Sequence, residues 1–385
     1  MSQTDSNPKL FQDPQIIYPT QGEFSHYISQ CKHLIKKTRV DLEHNEDIII
    51  EANSPFEFKP KPDGSNRKTR HGALLIHGLY DSPFIMRDIG RHLQAQGLHV
   101  QSILLPGHGT VPGAMLNVTY QEWIQATHYG VTSLSKEVDK VFLVGFSTGA
   151  SLSLYHTLNH TYENIAGLIL LAPAIQLPFL SVITNLPPKA GFDWLTTNTE
   201  IDYSKYRSFT FNSVYQLYQL TELMKEISAT VERITCPVFV VISQDDRTVN
   251  SGGTLKYFHE YSSEKSKLLV YTNFPKKYSD PRIITRPAAY PDKCIHSISH
   301  IALPIAPNNF HYGIHGDYVN ASHVEKNLQS GKKIIYDSFN DTKDTWRKLL
   351  YNLGLSKHQH KRLTFNPDFE FLQAELGKFI QDVCG

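Results

Sequence analysis

One serine sits between two glycines in Gly145-Phe-Ser147-Thr-Gly149. The apolar run 141–144 before it has the length of a buried strand, and a helix-like segment follows. At such a strand-to-helix turn the glycines let strand and helix pack closely, and the serine projects its hydroxyl at the edge of the sheet. A serine hydroxyl is a poor nucleophile at neutral pH. It needs a base within hydrogen-bond reach, normally a histidine that a carboxylate orients. The chemistry on offer is attack on a carbonyl carbon; the plain alternative is a glycine-rich turn with an ordinary serine.

Partners for such a serine are present further along. The apolar run 238–242 leads into Ser243-Gln-Asp245-Asp246-Arg-Thr-Val249, where two adjacent aspartates compete to be the orienting acid and the other does turn or cap work. Cys294-Ile-His296-Ser-Ile-Ser-His300-Ile-Ala offers two histidines for the base. An oxyanion needs two backbone N–H donors. Thr148, directly after the serine, supplies one; Leu79, in the loop that His77-Gly78 opens after the first regular strand, supplies the other. His108, His311 and His315 come without a spaced carboxylate cluster, so no metal and no cofactor are expected, and His108 is read as a brace for the loop at the rim of the site.

The elements that must hold these residues follow from periodicity. A chain of 385 residues, 40% hydrophobic and 11% aromatic, has the means to bury a large core. Its 38 basic and 37 acidic residues nearly cancel, which argues against a nucleic-acid partner. The scattered Cys31, Cys236, Cys294 and Cys384 suit free thiols in a reducing compartment, and the polar N-terminus lacks a signal-peptide layout. The uncharged run 165–183 imitates a membrane span, but Pro173 and Pro178 break it into a buried strand and an apolar loop. A soluble, cytoplasmic protein without a transmembrane segment is expected.

Apolar residues from Phe24 to Ile35 recur at helical spacing, and the other side carries Lys32, Lys36, Lys37 and Arg39, read as a solvated face with a membrane-surface role as the alternative. Residues 48–50 read as a lead-in strand and 59–70 as a polar connector, so 1–70 is taken as a tail, helix and lead-in to a domain at 71–385. In that domain, strands at 73–76, 100–105, 165–172, 238–242 and 267–271 alternate with helices at 82–96, 119–138 and 253–261. Such alternation gives a mostly parallel sheet with helices on both faces, and ligands bind at the carboxyl ends of its strands. Residues 175–230 break the rhythm with aromatics and prolines around a helix near 213–227. Segments 274–294 and 305–360 read as irregular excursions, and a well-capped helix from Asn366-Pro-Asp-Phe369 to 383 closes the chain.

Taken together, Leu74-Leu-Ile-His-Gly78, Ser82-Pro-Phe, Leu105-Pro-Gly-His-Gly109, the Gly145–Gly149 turn and Asp246-x-x-Val249 resemble the α/β-hydrolase superfamily over about residues 70–305. The flavour is that of bacterial carboxylesterases and monoglyceride-lipase or lysophospholipase-like serine hydrolases. The resemblance implies an α/β-hydrolase fold, a Ser147–His300–Asp246 triad, an oxyanion hole at Leu79 and Thr148, and a lid formed by 175–230. It implies hydrolysis of small carboxylic esters, hydrophobic acyl esters foremost, through an acyl-enzyme. The alternatives are a peptidase or amidase, a thioesterase, an acyltransferase, or a catalytically dead fold serving as a binding module. Two departures stand out: the insertion 274–294 between acid and base, and the 85 residues beyond His300.

Overall fold

Eight strands make the central sheet, in the spatial order β1-β3-β2-β4-β5-β8-β9-β10. They are β1 (Phe56–Phe58), β2 (His71–Ile76), β3 (His99–Ile103), β4 (Lys140–Phe146), β5 (Ile165–Leu171), β8 (Val238–Ser243), β9 (Lys267–Thr272) and β10 (Ile283–Pro287). This computed structural model describes residues 7–43, 45–60, 70–159, 164–177, 193–198, 202–274, 278–318, 334–338 and 359–385. Only β1 runs antiparallel to its neighbour; the remaining pairings are parallel. β2, β4 and β8 are apolar except at their end residues His71, Lys140 and Ser243, because helices cover both faces of the sheet.

The helices are α1 (Phe24–Thr38), α2 (Glu46–Asn53), α3 (Arg87–Ala95), α4 (Tyr120–Glu137), α5 (Thr148–Asn159), α6 (Phe211–Ser228), α7 (Ser251–Tyr261) and α8 (Phe369–Cys384). Their ends follow local chemistry. Ser82 accepts from Phe84 N at the 3-10 turn Pro83–Met86 that leads into α3, and Gly97 takes φ +89° just beyond that helix. Thr119 and Glu122 form a reciprocal capping box at the start of α4. The last helix lays Phe379 between Phe142 and Phe239 of the sheet, with ring centroids 6.5 and 5.5 Å away.

Three local expectations change. Residues 48–50 are helical, inside α2, and the lead-in strand is β1. The isoleucine run has strand propensity, but Glu46 and Asp47 suit a helix N-terminus and Ile49, Ala52 and Asn53 fall on one buried face. The excursions 274–294 and 305–360 are not wholly irregular: β10 extends the sheet, and β11 (Ile334–Asp337) pairs in parallel with β12 (Gln359–Arg362). Asp368 does not cap α8; its carboxylate makes a two-pronged pair with Arg286, at 2.8 and 2.7 Å. Elsewhere β6 (Trp194–Thr196) and β7 (Phe209–Thr210) form a small antiparallel pair. Residues 178–192 and 199–201 of the expected lid, and 61–69 of the connector, lie outside the described residues. Among the described residues, no helix is long and apolar enough to cross a membrane.

Candidate active site

Ser147 stands between the last residue of β4 and the first of α5, with φ +55°. A non-glycine residue in this left-handed region carries roughly 1–3 kcal/mol of strain, so its surroundings must hold it. They do so through the backbone: Ser147 N donates to Leu171 O at 2.9 Å, while Ser147 O accepts from Ala150 N and Ser151 N. The flanking glycines are obligatory. A Cβ on Gly145 would lie 2.3 Å from Ala150 N, and one on Gly149 would lie 2.1 Å from Ile76 O. The turn is legible from its sequence because these steric demands are local.

The two aspartates after β8 separate clearly. Asp246 Oδ1 accepts from Thr248 N and Val249 N at 2.7 and 3.2 Å, closing the loop on itself, and Oδ2 faces His300 Nδ1 at 2.6 Å. The Asp246 side chain is 1% exposed, so this charge-assisted bond is shielded from water. Asp245 faces Asn273 Nδ2 instead, at 3.1 Å, and burial raises its carboxyl. The two histidines separate as well. His296 is exposed, whereas His300 is buried with its ring 4.9 Å from that of Phe146. The His300 loop is clamped from both sides: Ser243 Oγ donates to Ile298 O at 2.8 Å and Ser299 Oγ to Leu363 O at 2.5 Å. With Nδ1–H donating to Asp246, the Nε2 lone pair of His300 is the one left to take a proton.

Leu79 lies in a loop tied by two buried histidines. Leu105 N donates to His77 Nε2 at 3.1 Å, and His77 Nδ1–H donates to Gly78 O at 2.8 Å. Tyr80 N donates to His108 Nε2 at 3.0 Å, and His108 Nδ1–H points at Pro106 O and Leu105 O. Each ring therefore uses one nitrogen as donor and the other as acceptor, the neutral form. Burial enforces it: His77 is held well below 6.5 and His108 is pushed down to about 4. The loop closes on Ser147, since a Cβ on Gly78 would lie 3.1 Å from Ser147 Cβ. Thr148 opens α5, where backbone N–H groups have no partner within the helix.

Leu79, Ser147 and His300 all line one cavity of about 250 Å³. Leu177, Phe209, Val214, Leu217 and Val249 make its apolar wall, and several of these come from the described part of the segment expected to cover the site. Charged residues that sequence reasoning did not single out also line it: Asp81, Lys205, Arg247 and Arg362. No pattern marks them, because each is brought in by tertiary contacts. Tyr206 N donates to Tyr80 O at 2.7 Å, which sets Lys205 beside the loop that carries Leu79, and Tyr80 OH meets Ser213 Oγ at 2.6 Å. His311 is drawn into another cluster, between Asp202 and Asp317. Among the described residues no group of three or more His, Cys, Asp or Glu is placed to hold a metal ion.

Residues 67–275 match the family described as serine aminopeptidase, S33. The chain belongs to the serine aminopeptidase S33 family. This family member has the α/β-hydrolase fold, and its matched segment carries Leu79, Ser147, Thr148 and Asp246 but ends before His300. It is similar to the thermostable monoacylglycerol lipase of Bacillus sp. (strain H-257), at 26% identity over 227 residues, 56% of this chain and 88% of the relative. It is also similar to a carboxylesterase of Bacillus subtilis (strain 168), at 23% identity over 223 residues, 56% of this chain and 85% of the relative. A solved soluble variant of monoglyceride lipase from Saccharomyces cerevisiae overlays on the S33 chain with TM-score 0.48 and 18% identity, covering 57% of this chain and 82% of that one.

Proposed function

We propose that the chain is a serine hydrolase of carboxylic esters in which Ser147 is the nucleophile, His300 the base and Asp246 the residue that orients it. One observation carries the reading: the buried Asp246–His300 pair opens on the same cavity as a serine held at φ +55°. Its relatives are named as a monoacylglycerol lipase and a carboxylesterase, which supports esters as the bonds cleaved.

In the first half-reaction His300 Nε2 takes the Ser147 hydroxyl proton as Oγ bonds to the ester carbonyl carbon. The carbonyl oxygen becomes an oxyanion between Leu79 N–H and Thr148 N–H. Collapse breaks the bond to the alcohol oxygen, and His300 returns its proton there, releasing the alcohol. Water then attacks the acyl-enzyme, giving its proton to His300. Collapse of the second tetrahedral species releases the acid and returns the proton to Ser147 Oγ. Asp246 holds the imidazole in the tautomer this needs and stabilises its charged form.

The apolar wall suits a hydrophobic acyl chain, and we assign residues 175–230 as the lid over it. An aminopeptidase reading, which the family's description invites, fits the cavity less well. A free α-ammonium favours a carboxylate, and among the described residues that line the cavity Asp81 is the one acid. The four free thiols favour a reducing compartment, the cytoplasm. A fluorophosphonate probe together with ester, thioester and amide substrates of matched acyl chain tests the proposal. Labelling that disappears in Ser147→Ala, with esters turned over fastest, is expected; cleavage of the amide with every ester ignored would overturn it.

A further inference from the structure

Burial makes the Lys205 ammonium in this cavity costly to keep, whereas Arg362 beside it is half-buried. Lys205 and Arg362 form no ion pair among the described residues, although both line the pocket. Burial pushes the Lys205 ammonium down, Arg362 pushes it further, and the attraction of Asp202 and Asp81 falls short of restoring it. Asp202 is already engaged, accepting from Ser204, His311 and Tyr312. Asp81, raised by burial to about 6, remains as one negative charge against two positive ones at neutral pH. Among the described residues the positive charges on this side of the cavity outnumber the free negative ones, so the arrangement suits a ligand that brings negative charge.

The place of the cations says which half of the substrate carries it. Asp81 is electrostatically coupled to Lys205, His300 and Arg362 together, so the cluster lies on the His300 side of the cavity. Backbone contacts agree: Ser299 Oγ holds Leu363 O, which sets Arg362 against the His300 loop, and Tyr206 N holds Tyr80 O, which sets Lys205 against Asp81. In the mechanism proposed above, the group next to His300 is the departing alcohol, while the acyl chain takes the apolar wall. We infer that the substrate is an acyl ester whose alcohol half bears an anionic oxygen group, phosphate or carboxylate, seated by Lys205 and Arg362. A guanidinium presents two parallel N–H donors to such a group, and the ammonium adds a third. The inference rests on the ester-hydrolase reading, and Arg362 comes from beyond the segment 67–275 that defines the family.

The test uses water-soluble octanoyl esters of glycerol, of glycerol phosphate and of glyceric acid, which share the acyl chain and carry a neutral, a phosphate-bearing and a carboxylate-bearing alcohol. The full-length protein should show kcat/KM for one of the two anionic esters about tenfold above that for the neutral one, and added salt should shrink this ratio. Which anionic ester is preferred distinguishes phosphate from carboxylate. In Arg362→Gln and in Lys205→Met the anionic-to-neutral ratio should fall by about tenfold, with partial recovery in Arg362→Lys. A ratio compares two substrates on the same folded fraction, so loss of folded protein does not mimic this result. A wild-type ratio at or below unity, or rates that fall together in both variants with the ratio unchanged, would overturn the inference and leave the ester hydrolase standing. If none of the three esters is turned over, both readings fall.

Discussion

Acidification should weaken this fold through His108, by an amount that can be worked out. His108 is buried, neutral and pushed from an ordinary 6.5 to about 4, with burial as the cause. In the unfolded chain the same ring takes up a proton near its ordinary value, so below it the unfolded state binds more protons than the native one. Stability therefore rises with pH across this window; it is complete above 6.5 and lost progressively as pH falls toward 4. The loss comes to about 2 kcal/mol between about pH 7 and about pH 5, and about 3 kcal/mol once both states are protonated. Urea denaturation of the wild type and of His108→Gln at the two pH values isolates this share. Glutamine keeps an acceptor for Tyr80 N without titrating, and His77 is present in both proteins, so its own contribution cancels. The variant should start less stable but lose about 2 kcal/mol less on acidification. Equal losses in the two proteins would refute the argument. Because His108 Nε2 holds the peptide after Leu79, protonation should also loosen one donor of the proposed oxyanion site.

Other consequences are quicker to state. His300→Ala should lower kcat by roughly 10³- to 10⁴-fold, whereas His296→Ala should stay within about threefold, because the exposed ring stands outside the cavity; steady-state ester kinetics on the two variants check this. Ser147→Gly should be inactive yet more stable than Ser147→Ala by about 1 kcal/mol, since glycine relieves the left-handed backbone; the two urea midpoints decide it, and an alanine variant of equal or greater stability would count against strain at the turn. Gly149→Ala should destabilise by at least about 3 kcal/mol, because its Cβ would lie 2.1 Å from Ile76 O, a backbone atom that cannot swing aside; thermal or urea unfolding measures it.

The parts that were legible in the sequence are those whose constraints are local or periodic. The Gly145–Gly149 turn, the strand that feeds it and the capping box at Thr119 all announce themselves within a few residues. Residues 48–50 mislead because β-branched propensity is a weak prior, and one buried helical face outweighs it. The choice of Asp246 over Asp245 and of His300 over His296 needed the family resemblance; in three dimensions it reduces to burial and a 2.6 Å bond. Nothing local marks Asp81, Lys205 or Arg362, whose roles arise only when chain segments far apart meet at one cavity. That His108 braces the rim was legible, but its hold on Tyr80 N and its contact with His77 were not, since residues 31 positions apart meet only once two loops fold together.

The Ser299–Leu363 hydrogen bond couples the loop that carries His300 to a strand that begins 59 positions later. The division of labour along the gene follows from it. The proposed nucleophile Ser147 and its acid Asp246 are encoded within 67–275, whereas the proposed base His300 and the cation Arg362 that would choose among alcohols are encoded downstream. A lineage that exchanges or trims the downstream part keeps an intact nucleophilic turn and inherits a different appetite, or none. Grafting residues 278–385 of this chain onto the core of a relative is thus the natural way to transplant substrate choice without touching the serine.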